Sequence, residues 1–102
     1  MYSFNNGDWA CYPNIALGGV MTKITFRYAK GNTTAANIRV RQSSSTGTIL
    51  GTLSPTSTGG WSTFVSNQIA ITPISGTITL CLSAEISGTA DAADMDYMII
   101  QP

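Results

Sequence analysis

At 102 residues the chain has room for one domain, spanning 1–102, around one hydrophobic core. Charged side chains make up 10% of it, five basic against five acidic with no histidine, which excludes the basic face that a nucleic acid demands. No stretch approaches the roughly 18 apolar residues of a membrane span, and the first ten residues lack the charged and apolar regions of a signal peptide.

In chain order the apolar residues recur with a period of two, the spacing of half-buried strands. Gly7–Tyr12 opens the series, with Trp9 and Cys11 on one face and Ala10 and Tyr12 facing the core. After a Gly18-Gly19 turn comes Thr22–Ala29, where Ile24, Phe26 and Tyr28 alternate with Lys23, Thr25 and Arg27. A Lys30-Gly31-Asn32 turn leads to Asn37–Gln42, with Ile38 and Val40 inward and Arg39 and Arg41 outward. Ile49–Leu53 and Ser62–Ile71 follow, separated by the polar run Ser54–Gly60. Beyond a Pro73–Gly76 turn, Thr77–Ser83 places Leu80 and Leu82 inward. Ser87–Ala93 is a turn region holding at most one helical turn at Ala90–Ala93, and Met95–Gln101 closes the chain. About seven short strands with Gly-rich turns predict an all-β sandwich of two antiparallel sheets, a jelly roll. Ile24, Phe26, Ile38, Val40, Leu80 and Leu82 are its expected core.

Chemistry is scarce in this chain. Without histidine it lacks the commonest general base and metal ligand. Glycoside hydrolysis needs two carboxyl groups facing each other across a cleft. Of Asp8, Glu85, Asp91, Asp94 and Asp96, only Asp94 and Asp96 share a strand face, with no partner across a groove. Binding, not catalysis, is the expected role. The two tryptophans stand in NNGDWACYP (5–13) and TSTGGWSTF (56–64), each beside a strand-like run. An indole face is electron-rich and suits the C–H face of a pyranose ring.

These motifs resemble those of carbohydrate-binding modules of family 6 and the related families 35 and 36. NNGDWACYPNIAL (5–17) is similar to the family's GDW strand, and residues 37–64 follow its long hairpin and TGGW loop. GTITLCLSAEISG (76–88) and DMDYMIIQ (94–101) match the last two strands, so the resemblance covers nearly the whole chain in order. It implies a galactose-binding-domain-like jelly roll that binds polysaccharide or oligosaccharide, of plant or algal origin, outside the cell. The chain begins where the family's first one or two strands would already be finished. That implies an N-terminally truncated sandwich with an uncovered sheet edge and a homo-oligomer that covers it.

The family's loop-end cleft maps onto Trp61 and, in place of its asparagine, Asp94; its tyrosine falls at Ser3, flanked by Tyr2 and Phe4. Tyr2 is the expected aromatic there. A second cleft, on the concave sheet face, maps onto Trp9, with Cys11, Thr79, Cys81, Arg39 and Arg41 around it. The two arginines favour acidic glycans, because a guanidinium pairs bidentately with a carboxylate or sulfate. Cys11 and Cys81 are expected to be cross-strand neighbours, either as a disulfide or as two thiols. Asp96 matches one calcium ligand of the family, but the partnering glutamate is absent. No tightly bound calcium and no other cofactor is expected. The alternative role is a structural or protein–protein module that self-associates, its sugar clefts vestigial.

Overall fold

The computed structural model describes residues 2–88 and 90–102, with the side chains of Tyr2 and Ser3 outside the described part. Its strands are β1 (Tyr2–Asn5), β2 (Trp9–Ala16), β3 (Met21–Lys30), β4 (Ala36–Gln42), β5 (Ile49–Leu53), β6 (Gly60–Ile74), β7 (Thr77–Ile86) and β8 (Asp91–Gln101). They form two antiparallel four-stranded sheets, ordered β1-β8-β3-β6 and β2-β7-β4-β5. The sequence expectation of a two-sheet sandwich holds. All six expected core side chains, Ile24, Phe26, Ile38, Val40, Leu80 and Leu82, are fully buried between the sheets.

Four local expectations differ from the structure. Tyr2–Asn5 shows no alternation long enough to announce a strand, yet it forms β1 against β8. Phe4 drives it: the residue is fully buried, and its register partner is the small, fully buried Ala93. Ala92 and Ala93, read as a turn from their composition, therefore lie in β8. Alanine is a weak strand former, but here burial overrides propensity. Pro73, read as part of a turn, lies in the long β6; this strand ends its sheet, where a residue without an N–H is tolerated. Tyr12, expected to face the core, stays 37% exposed. It lies on edge strand β2, where the register with β7 shifts between Tyr12 and Ile15, so no further strand covers its ring.

Gly51 closes the sandwich along one side. A Cβ there would lie 3.0 Å from the Ala70 carbonyl oxygen and the Ile71 side chain, so the missing side chain lets β5 approach β6. Cys11 and Cys81 are register partners on β2 and β7 and form a disulfide with Cα atoms 4.1 Å apart. This bears out the cross-strand expectation and decides between the two redox states.

Candidate functional site

One end of the sandwich gathers the loops that matter. There β3 ends at Lys30, β6 begins at Gly60, β8 begins at Asp91, and β1 ends at Asn5 opposite Asp91. Trp61 follows Gly60 directly. The Thr58 N–H donates to the Lys30 carbonyl at 2.9 Å, and the Lys30 N–H donates to Thr58 Oγ1 at 3.0 Å. Gly59, with φ of 94°, makes the left-handed turn that residues with a Cβ rarely adopt. The loop is thereby stitched to the end of β3, and the indole comes to rest on Gly31. A Cβ at residue 31 would collide with Trp61 Cδ1, Nε1 and Cε2, so only glycine admits this seat. The ring stays 37% exposed.

Asp94 is the register partner of Ser3 on one side and Ala29 on the other, and is half-buried. Trp61, at the start of β6, and Asp94, on β8, thus flank the end of β3 at one end of the sheet. Two strand spacings put their backbones roughly 10 Å apart. Tyr2 pairs with Met95 through its backbone; its side chain lies outside the described part. The start of β8 is held by two side chains that sequence reading passed over. Lys30 Nζ donates to the Ala92 carbonyl at 3.0 Å, and Asn32 Nδ2 donates to the Asp91 carbonyl at 3.1 Å. Lys30 is only 1% exposed, and desolvation lowers its pKa from 10.5, with the charge of Asp91 pulling partly the other way. The sequence signal for this brace was the Lys30-Gly31-Asn32 cluster, which marks a turn but not its partners.

The second aromatic stands on the outer face of the other sheet. Two register rows cross it: Trp9, Ser83, Arg39 and Thr52, and next to it Cys11, Cys81, Arg41 and Ile49. Strand parity thus placed this face correctly, although Cys81 is fully covered. Trp9 is 56% exposed and borders a cleft of about 430 Å³, lined also by Asn6, Arg41, Thr46, Ser83 and Glu85. Glu85 shares the outward parity of Ser83, but its place in the cleft depends on Arg39. Arg39 Nε donates to Glu85 Oε1 at 3.0 Å, so this arginine is engaged with a carboxylate of the protein itself.

Asp96, the calcium candidate of the sequence, is paired with an arginine. Its Oδ2 accepts from Arg27 Nε at 3.1 Å, and that guanidinium lies 5.3 Å from the centroid of the Phe64 ring. A cation already faces the carboxylate, where calcium needs six to eight oxygens. Among the described residues no group of three or more His, Cys, Asp or Glu could hold a metal ion.

Two exposed indoles on a two-sheet sandwich, one at the loop end and one on a sheet face, carry the geometry of a sugar binder. The whole chain, residues 1–102, matches the family "Carbohydrate binding module (family 6)". The chain belongs to that family. Its members are non-catalytic sugar-binding modules, and this module is one. It is 38% identical over 71 residues to an endo-1,4-beta-xylanase A of Thermoclostridium stercorarium, covering 70% of this chain and 14% of the relative. It is 30% identical over 100 residues to an arabinoxylan arabinofuranohydrolase of Paenibacillus polymyxa, covering 98% of this chain and 16% of the relative. The module thus spans about a seventh of the curated relatives it matches. Among solved structures it superposes on a beta-1,3-glucan-binding family 6 module of Bacillus halodurans with a TM-score of 0.88 at 26% identity, covering 97% of this chain and 73% of that one.

Proposed function

We propose that the module holds a β-linked plant or algal polysaccharide at the loop end, with Trp61 as its stacking platform. The observation that carries this is the indole seated flat on Gly31 with part of its surface open. Ring position is then set by backbone rather than by a mobile side chain. Asp94 accepts hydrogen bonds from sugar hydroxyls. The xylan- and glucan-directed names of the relatives support a β-1,4-xylan or β-glucan chain as ligand. Trp9, with Arg41 beside it, forms the second and weaker platform, and Arg39 acts there by positioning Glu85.

Stacking plus a few hydroxyl hydrogen bonds gives a small sugar at best about micromolar affinity, ~8 kcal/mol. Calorimetric titration with xylo- and gluco-oligosaccharides tests the assignment. Trp61→Ala, shown to be folded, loses detectable binding of short neutral oligosaccharides, and Trp9→Ala loses less. Unchanged affinity in Trp61→Ala moves the primary site to the Trp9 face. A wild-type module that binds neither series removes the xylan and β-glucan assignment. One observation favours self-association as an added property: β6 ends its sheet, and Gly60–Ile74 contains no charged side chain to discourage pairing with a second copy.

A further inference from the structure

The face around Trp9 carries charge that recognition of a neutral sugar does not use. Arg39 and Arg41 lie two residues apart on β4, on the same outer face, but their partners differ in kind. Arg39 gives Nε to Glu85 Oε1 at 3.0 Å and Nη1 to Thr52 Oγ1 at 2.9 Å, and its Nη2 also lies 3.0 Å from that carboxylate oxygen. Its charge is matched on the spot. Arg41 gives Nε to Ser83 Oγ at 3.0 Å and Nη1 to the Gly47 carbonyl at 3.0 Å. Both of those acceptors are neutral. They fix the plane of the guanidinium with two of its five N–H donors and leave its charge unmatched.

Arg41 and Glu85 both line the cleft beside Trp9. With Arg39 on Glu85, two guanidinium groups stand against one carboxylate on this face, an excess of one positive charge. The chain as a whole is neutral, so the excess is local.

We propose that Arg41 makes this face selective for a glycan bearing a carboxylate, a uronic acid residue. The sugar ring lies on Trp9 and its carboxylate meets Arg41. This rests on the reading that the Trp9 face binds sugar. A planar guanidinium matches a carboxylate better than a point charge does, and one already held in place loses little freedom on pairing. The Arg39–Glu85 pair has a positioning role. It neutralises the carboxylate that would otherwise repel an acidic ligand or draw Arg41 to itself.

The test compares three ligands of equal backbone length: a xylo-oligosaccharide, the same chain with one glucuronic acid branch, and the methyl ester of that branch. The ester has nearly the shape of the acid without its charge. The wild-type module binds the acid roughly tenfold tighter than the ester at low salt, and the ratio shrinks as added salt screens the pair. In Arg41→Gln and in Trp9→Ala the ratio falls to about one, and in Trp61→Ala the acid still binds while the ester falls below detection. Arg41→Lys, which keeps the charge but not the fork, gives an intermediate ratio. A wild-type ratio of one overturns the proposal and needs no variant, so the test decides even if Arg41→Gln does not fold. A ratio unchanged in folded Arg41→Gln overturns it equally. The effect of Trp9→Ala on the unsubstituted chain keeps the two readings apart: if that substitution weakens its binding and the wild-type ratio is one, only the acidic preference fails. If none of the three ligands binds, both readings fail together.

Discussion

Replacing Gly31 by alanine changes the sugar platform without touching an aromatic residue. A Cβ at this position would lie 2.7 Å from Trp61 Cε2 and closer still to Cδ1 and Nε1. Carbon atoms rest at about 3.5–4.0 Å, so the indole must lift by about 1 Å or more. The backbone at Gly31 does not lie in the left-handed region, so alanine itself is unstrained there. The ring is 37% exposed and can move outward, so the fold is nearly unaffected. Any loss is offset by the roughly 0.4–1 kcal/mol that glycine-to-alanine changes return by restricting the unfolded chain. Binding responds differently, because Asp94 and the strands that carry it stay where they were. A gap of about 1 Å forfeits up to half of a dispersion contact. With Asp94 unmoved, we expect oligosaccharide affinity to fall about five- to tenfold, or about 1–1.4 kcal/mol. Calorimetric titration gives the affinity, and thermal unfolding of Gly31→Ala in wild-type and Trp61→Ala backgrounds gives the stability cycle. In the Trp61→Ala background no ring opposes the new methyl group, so alanine is there neutral or stabilising. Wild-type affinity in Gly31→Ala, or the same loss of stability in both backgrounds, would refute the seating of the ring as the source of the platform.

Other perturbations have equally definite outcomes. The Cys11–Cys81 disulfide joins residues 70 apart, and on the chain-entropy account closing such a loop contributes about 4 kcal/mol. Reduction should lower Tm by roughly 15 °C or more; a shift of a few degrees by calorimetry would show that the unfolded chain is compact without the bridge. Lys30 has a folded pKa below its ordinary 10.5, so between the two values the unfolded chain holds the extra proton and stability rises with pH. Urea unfolding across alkaline pH should show this rise as 10.5 is approached, and Lys30→Met should lack it; parallel curves for the two proteins would contradict the burial of the ammonium. Multi-angle light scattering at high concentration should detect dimers that Val65→Lys, on the exposed part of β6, abolishes; a clean wild-type monomer removes the edge pairing.

Sequence by itself determined the class of fold and the parity of most side chains. Alternation in Thr22–Ala29, Asn37–Gln42 and Thr77–Ser83 suffices, because a period of two leaves each strand only one way to face the core. The same parity placed Trp9, Arg39 and Arg41 on one outer face and set Cys11 toward Cys81. Local pattern could not show β1, since four residues hold too little alternation and Phe4 becomes a core residue only when β8 pairs with its strand. Nor could it separate the arginines. Both occupy outward positions on one strand, and only register decides that Arg39 reaches Glu85 while Arg41 reaches Ser83 and Gly47. The seat of Trp61 was equally hidden. Gly31, just past the end of β3, and Trp61, at the start of β6, lie thirty positions apart, and their contact exists because β3 and β6 are neighbours whose ends meet at one end of the sheet. Residue periodicity reports which way a side chain points. What it touches there depends on strands distant in sequence, and only the packed sheets bring those together.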